Sequence, residues 1–200
     1  MEPIFTRIYE TNEWGTDHHP DYTGTSGGAS DLDYNKDTYI PFLKKFIQQL
    51  SIQSVTDLGC GNFKCGPSIY DGLSIRYVGY DTYEKVIKSH KSRFPRYSFI
   101  HSDFYTEREH LLPSDLCILK DVIQHWKMEE IYSFLDYLVE SKKYKYILIC
   151  NCCNQTNDNP ENEHRSTPLS SQYFPLKKYD PVSLYKYHSK EVCVIDLTDP

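Results

Sequence analysis

Residues 53–66 read Gln-Ser-Val-Thr-Asp-Leu-Gly-Cys-Gly-Asn-Phe-Lys-Cys-Gly. Val55 and Leu58 belong to a short apolar, β-branched run that stops at Gly59-Cys60-Gly61. Such a run, bounded by glycines, predicts a buried strand entering a tight turn. Glycine has no Cβ, so the chain at 59 and 61 can bend sharply and lie close to a ligand. In nucleotide-binding α/β sheets the first strand-to-helix turn floors the cofactor site. Gly-x-Gly also serves ordinary turns; the strands that follow give this one its meaning.

Working outward, residues 76–81, 97–101, 115–120 and 144–151 predict four further strands, and 115–120 is apolar throughout, as a central parallel strand should be. Helices are expected between them. One starts near residue 38, with Tyr39, Leu43, Phe46, Ile47 and Leu50 forming one stripe and Pro41 tolerated in its first turn. Others fall near 66–72, over 83–93, and over 128–141 with Met128, Ile131, Leu135 and Leu138 on one face. Strands alternating with helices imply βαβ units with right-handed crossovers. The expectation is one α/β domain over residues 1–200, a mostly parallel sheet with helices on both faces. Residues 1–37 read as an irregular arm or lid and 38–151 as the cofactor-binding core. Residues 152–200 read as a polar substrate loop, near 154–168, and antiparallel edge strands, near 183–187 and 191–197.

Bulk properties narrow the function. Two hundred residues, 39% hydrophobic and 25% charged, suit one globular domain with a sizeable core. A net charge of −6 leaves no broad basic surface, which argues against nucleic acid as partner. The basic stretches at 85–96 and Lys142-Lys143 read as solvated helix faces. No apolar run approaches the roughly 20 residues that span a bilayer, and the N-terminus lacks a signal-peptide core. Seven cysteines, with Cys117, Cys150 and Cys193 in strand-like runs, suit small buried hydrophobes in a reducing, cytoplasmic compartment. Cys150, Cys152 and Cys153 lack the paired spacing of a zinc site.

Ligands of an open α/β sheet bind outside the carboxyl ends of its strands. Four consecutive strand ends carry an acid: Asp57, Asp81, Asp103 and Asp121. Asp81 follows the glycine turn by the roughly 20 residues at which a carboxylate grips a ribose diol. Lys64 replaces the third glycine of the dinucleotide fingerprint, and no phosphate-binding Gly-Lys-Ser/Thr is present. Carboxylates at the strand ends repel phosphate. They suit a cofactor without phosphate that carries a ribose diol, an amino group and a positive centre, a description that fits S-adenosylmethionine.

The run Val55-Thr56-Asp57-Leu58-Gly59-Cys60-Gly61 resembles motif I of class I S-adenosylmethionine-dependent methyltransferases. Residues 77–81 are similar to their second motif, Ser102-Asp103-Phe104 to their adenine-binding acidic position, and residues 115–126 to their fourth motif. The likeness covers about residues 38–151. The Trp14-Gly15 and Ser26-Gly27-Gly28-Ala29-Ser30 leader resembles small stand-alone members, and Tyr173-Phe174-Pro175-Leu176 does so more loosely. Two departures stand out: Cys65-Gly66-Pro67 shortens the helix after motif I, and no family helix is evident beyond Asn151.

The resemblance implies that Asp57, Gly59, Cys60 and Gly61 hold the methionine end of the cofactor. It implies Asp81 with Thr82 on the ribose, Asp103 with Phe104 on the adenine, and Lys120 beside the cofactor. S-adenosylhomocysteine is the implied product. Methyl transfer needs a nucleophile in line with the sulfonium, and a hydroxyl acceptor needs a base. Asp121, His125 and Lys120 are the catalytic candidates: His125 as base, with Asp121 as orienter or as base itself. His125 and Asp121 share a face if helix has begun there; His125 as a helix-start residue packing under Trp126 is the alternative. Trp14, Ser26, Gln124, Trp126 and Asn151 are candidate acceptor contacts. A small polar acceptor is expected, with a sugar or glycan hydroxyl favoured by the aromatic- and Asn-rich arm and loop.

The rivals are an N- or carboxyl-methyltransferase, a catalytically silent cofactor-binding module serving a partner protein, and an NAD-linked oxidoreductase. A divalent metal held by Asp121 with Asn151 or Asn154 is possible but not favoured, since that set contains one carboxylate. His18-His19-x-Asp21 reads as polar lid rather than metal site.

Overall fold

The computed structural model describes residues 1–17, 19–156 and 167–198. Seven strands form a mostly parallel sheet in the order β3-β2-β1-β4-β5-β7-β6, with flanking helices. The chain divides into two compact units, residues 1–111 and 112–200.

The first unit contains α1 (Glu2–Glu10), α2 (Leu32–Asn35), α3 (Tyr39–Gln49), β1 (Ser54–Leu58), α4 (Gly66–Tyr70), β2 (Arg76–Asp81), α5 (Glu84–Arg93) and β3 (Ser98–His101). β2 pairs in parallel with β1 on one side and β3 on the other. Every residue of β2 after Arg76 is buried, as a strand flanked on both sides requires. Gly79 lies opposite Asp57, and a Cβ there would come within 3.0 Å of the Cys60 side chain. This glycine lets the turn after β1 fold down onto β2. Pro41 sits in the first turn of α3 as expected, and α5 packs on β2 and β3. α4 is one turn long, as Cys65-Gly66-Pro67 implied.

The reading of residues 1–37 as an irregular arm is corrected at its start. α1 is a helix with Pro3 in its first turn, and it buries Ile8 and Tyr9. Proline presets a helical φ there. The stripe Phe5, Ile8, Tyr9 has helical spacing but spans barely two turns, too short to stand out from a polar background. Among the described residues from Thr11 to Gly27 the arm is irregular, with a bridge between Thr16 and Gly24, and a 3-10 turn at Gly28–Ser30 and α2 follow.

The second unit contains β4 (Ser114–Lys120), a 3-10 turn at Ile123–His125, α6 (Met128–Glu140), β5 (Tyr144–Cys152), β6 (Val182–Tyr187) and β7 (Lys190–Asp196). β4 and β5 are parallel; β5–β7 and β7–β6 are antiparallel, giving the expected edge. Residues 157–166 of the expected loop lie outside the described residues.

Candidate functional site

In the first unit the glycine turn is held by main-chain bonds. Gly59 and Gly61 take positive φ of 81° and 53°, a region glycine enters freely. The N–H groups of Gly59 and Cys60 donate to the Tyr80 carbonyl at 2.8 and 2.9 Å. The N–H of Gly61 donates to Asp81 Oδ2 at 2.9 Å, and that of Tyr83 to Asp81 Oδ1 at 3.0 Å. Asp81 is therefore fixed by backbone, with the Thr82 N–H as a further donor, and its two oxygens together keep acceptor capacity. Burial pushes its carboxyl above the usual range, against the opposing pull of those N–H groups. Asp57 accepts the Tyr77 hydroxyl at 2.8 Å. Burial, then the charges of Asp81 and Asp57, push the Cys60 thiol up. Thr82 is buried, and its carbonyl is bonded to His101 Nε2 at 3.0 Å.

Asp103 lies just past β3 and meets α1. Its Oδ2 accepts from the Met1 amino group at 2.7 Å and the Glu2 N–H at 3.0 Å. Burial raises this carboxyl, but those donors outweigh it and hold it below the usual range. Asp103 Oδ1 is buried with no hydrogen-bond partner. Phe104 beside it is buried.

The arm is laid on the turn. Ser26 Oγ accepts the Asn62 N–H at 2.8 Å and shares a hydrogen bond of 2.5 Å with the Tyr9 hydroxyl. A Cβ at Gly61 would sit 2.6 Å from Ser26 Oγ, so the close approach depends on glycine. Tyr9 stacks on Tyr83 at 4.4 Å and meets Trp14 edge-on at 6.3 Å. Lys64 reaches Asp17 and Asp31, each at 3.0 Å. The residue that breaks the dinucleotide fingerprint thus anchors the arm.

In the second unit Asp121 follows β4 with φ 59°, and its N–H donates to the Cys150 carbonyl at 2.7 Å. Helix has not begun at Asp121, so the helical spacing expected to put it on a face with His125 does not apply. Its carboxylate accepts from Lys120 Nζ at 2.7 Å and from Lys190 Nζ. Burial raises the Asp121 carboxyl, but the two ammonium groups outweigh it and hold it below the usual range. Lys190 is 3% exposed and also reaches Cys152 Sγ at 3.0 Å. Burial depresses its ammonium, and Asp121 more than reverses that. Gln124 Oε1 accepts the Cys152 N–H at 3.0 Å, and its Nε2 lies 3.4 Å from His125 Nε2, where the 3-10 turn ends. Trp126 is buried edge-on to Phe134. Asn151, at the end of β5, is buried with no hydrogen-bond partner for either side-chain polar atom.

The first unit contains Asp57, residues 59–61, Asp81, Thr82, Asp103 and Phe104, with Trp14 and Ser26 on the arm. The second contains Lys120, Asp121, Gln124, His125, Trp126 and Asn151. Sequence reasoning missed Tyr9, His90, Lys190 and the anchoring task of Lys64. Lys190 offered no signal, since it stands in the polar run His188-Ser189-Lys190-Glu191 ahead of the apolar stretch 192–195. Among the described residues no group of three or more His, Cys, Asp or Glu side chains could hold a metal ion. His19 stacks on Tyr22 at 4.4 Å and its Nε2 meets Arg93 at 2.6 Å; His18 lies outside the described residues. No helix of the described residues is long and apolar enough to cross a membrane.

The first unit fits S-adenosylmethionine in two respects. Asp103 Oδ1 is an unpartnered acceptor suited to an amino group, and the turn at residues 59–61 carries two glycines at positive φ.

Neither a protein-family model nor a curated protein matches the chain. Solved structures do. The methyltransferase domain of bacterial CtHen1-C superposes with TM-score 0.65 at 16% identity, covering 84% of this chain and 100% of that one. Magnesium protoporphyrin IX methyltransferase from Synechocystis PCC 6803, solved with bound S-adenosylmethionine, gives 0.64 at 10% identity, covering 96% and 95%. Human N-acetylserotonin methyltransferase, in complex with S-adenosylmethionine, gives 0.57 at 15% identity, covering 84% and 59%. The chain has the fold of the class I S-adenosylmethionine-dependent methyltransferases.

Proposed function

We propose that the chain is an S-adenosylmethionine-dependent methyltransferase that methylates a hydroxyl of a small polar acceptor, with sugars and glycans the first class to test. The observation that carries this reading is the glycine turn bonded through Gly61 N–H to a buried Asp81 at the end of β2. The bound cofactor supplies an activated methyl group on a sulfonium. Asp81, fixed by the main-chain N–H groups of Gly61, Thr82 and Tyr83, accepts from the ribose diol with its remaining acceptor capacity. Asp103 Oδ1 accepts the adenine amine, next to Phe104. Asp57 and residues 59–61 take the methionine end.

In the second unit His125 serves as the base. Asp121 serves as orienter, because two ammonium groups hold it ionised and disfavour its taking a proton. Lys120 keeps Asp121 in place. Asn151 reads the acceptor: its buried amide lacks partners, a state that costs about 1–3 kcal/mol per polar group until a ligand satisfies it. Trp14 and Ser26 on the arm of the first unit, and Gln124 in the second, are proposed as further acceptor contacts, while Trp126 is packed edge-on against Phe134 with 1% exposure. A reducing compartment is supported by seven cysteines that are all free thiols.

A second reading, a silent module, draws support from α1, whose Glu2 N–H already occupies Asp103. Calorimetric titration with S-adenosylmethionine, S-adenosylhomocysteine and NAD tests the cofactor site that both readings share, and methyl transfer to a panel of small hydroxyl acceptors separates the two. Binding of the adenosyl ligands alone, with turnover, is expected. Binding without turnover favours the module, and absence of binding overturns the cofactor site.

A further inference from the structure

His90, on α5, is wholly buried. Its Nε2 lies 2.7 Å from the Gly61 carbonyl. A carbonyl only accepts, so Nε2 carries the proton and donates. Nδ1 is buried with no hydrogen-bond partner, and desolvation pushes the imidazole down to about 4. The ring is neutral near pH 7. Around it stand Phe63, Phe94 and Phe99, with ring centroids 5.9, 5.6 and 4.9 Å away. Phe63 in turn lies where a Cβ on Gly66 would strike it at 2.2 Å. An aromatic cluster thus supports the glycine turn, and His90 supplies a polar contact from that cluster to the turn.

The direction of this bond matters. In a trans peptide the C=O and N–H point opposite ways. With the Gly61 carbonyl drawn into the aromatic cluster, the N–H of the same peptide, on Asn62, points out to where Ser26 Oγ accepts it at 2.8 Å. Gly61 has φ 53° and no Cβ, so its own conformation opposes rotation of that peptide weakly. The imidazole resists the rotation instead. A rotated peptide would turn a carbonyl oxygen outward, and that oxygen repels a carboxylate where an N–H attracts it.

We propose that His90 is a positioning residue for the cofactor: it fixes the Gly61–Asn62 peptide so that the Asn62 N–H, which Ser26 Oγ accepts in the structure, stays aimed outward and passes to the methionyl carboxylate when that group displaces the serine hydroxyl. This rests on the cofactor reading above. The test uses the full chain and two ligands, S-adenosylhomocysteine and 5′-methylthioadenosine, which keeps the adenosine and sulfur but lacks the amino and carboxylate groups. His90→Phe keeps an aromatic ring and removes the donor; His90→Gln restores an N–H donor. By calorimetry, His90→Phe is expected to weaken S-adenosylhomocysteine about tenfold and to leave methylthioadenosine within about twofold. His90→Gln is expected to recover part of the loss, and His90→Leu replaces the phenylalanine variant should that one not fold. Equal losses for the two ligands, or no loss for either, overturn the positioning role alone. Wild-type protein that binds neither ligand overturns the cofactor reading and the proposal with it.

Discussion

Asp17, Lys64 and Asp31 form a triad of charges in the first compact unit, and Lys120, Asp121 and Lys190 form its inverse in the second. In the first, one ammonium stands 3.0 Å from each of two carboxylates, with side-chain exposures of 35% for Lys64, 20% for Asp17 and 49% for Asp31. In the second, one carboxylate takes two ammonium groups, with exposures of 17% for Lys120 and Asp121 and 3% for Lys190. Water and salt screen the first arrangement, and its net energy is small. The second has little water to fall back on, so each member depends on the others. An exposed triad can latch an arm and release it. A buried one fixes the ionisation state of its central group, here the carboxylate at the end of β4.

Removing that carboxylate is the largest expected effect. Asp121→Asn leaves the buried Lys190 ammonium and the half-buried Lys120 ammonium without their shared carboxylate and is expected to cost about 3–5 kcal/mol in urea unfolding. Adding Lys190→Met to it should recover part of the loss, because the orphaned charge goes with its partner. A cost below about 1 kcal/mol would put the buried triad on the same footing as the exposed one and break the contrast.

Asp81 gives the next test, because its partners are main-chain N–H groups and not charges. Asp81→Asn turns an acceptor into a donor against Gly61 or Tyr83 and is expected to cost about 1–3 kcal/mol. If Asp81 also receives the ribose, S-adenosylhomocysteine affinity should fall about 10- to 100-fold in the same variant, read by calorimetry.

Acid titration separates the two carboxylates by sign. The Asp121 carboxyl is held below its unfolded value of about 4, so its contribution is present above that pH and is lost as pH falls through the folded value. The Asp81 carboxyl is raised, so its contribution is full below about pH 4 and is lost as pH rises through the folded value. On acidification the stability margin of wild type over Asp121→Asn should shrink, while that over Asp81→Asn should grow. A tenfold difference in proton affinity between folded and unfolded chain is worth about 1.4 kcal/mol, and thermal midpoints at stepped pH follow it. Parallel trends would mean that the two sites share one electrostatic character.

What the chain disclosed of itself follows the range of the interactions involved. The strands and α3, α5 and α6 were legible because their apolar periods are local. All four strand-end acids were legible because each lies within a few residues of the point where an apolar run ends. Their partners were not. Asp57 finds a tyrosine 20 positions on, Asp103 the start of α1 some 102 positions back, and Asp121 a lysine 69 positions on. Nothing periodic links such pairs. α1 escaped for the opposite reason: its signal was local but only two turns long. His90 looked like one more polar residue on a helix rich in lysine, and its burial arises from aromatic side chains spread over residues 63–99.

Lys64→Ala gives the smallest effect and the sharpest form of the contrast. Burial lowers the Lys64 ammonium, Asp31 and Asp17 more than restore it, and all three groups keep contact with water. Removing the lysine strands no buried charge, because each carboxylate is free to hydrate. The expected cost is about 0.5–1 kcal/mol. The arm keeps other attachments: Ser26 on Asn62, the Asn62 amide on Ser30 at 3.0 Å, and the Cys65 thiol on the Ser30 carbonyl at 3.4 Å. The loss should therefore be local. Hydrogen exchange at the Thr25 and Ser30 amides, bonded to the Gly15 and Gly27 carbonyls, should quicken while the global unfolding midpoint barely moves. Raising the salt to about 1 M, where the screening length falls to about 3 Å, should erase the difference between Lys64→Ala and wild type. The cost of Asp121→Asn should survive the same salt, because ions do not enter the space its two lysines enclose. If both costs vanish together, the second triad is screened like the first, and Asp121 is then no more firmly held as an anion than a surface carboxylate.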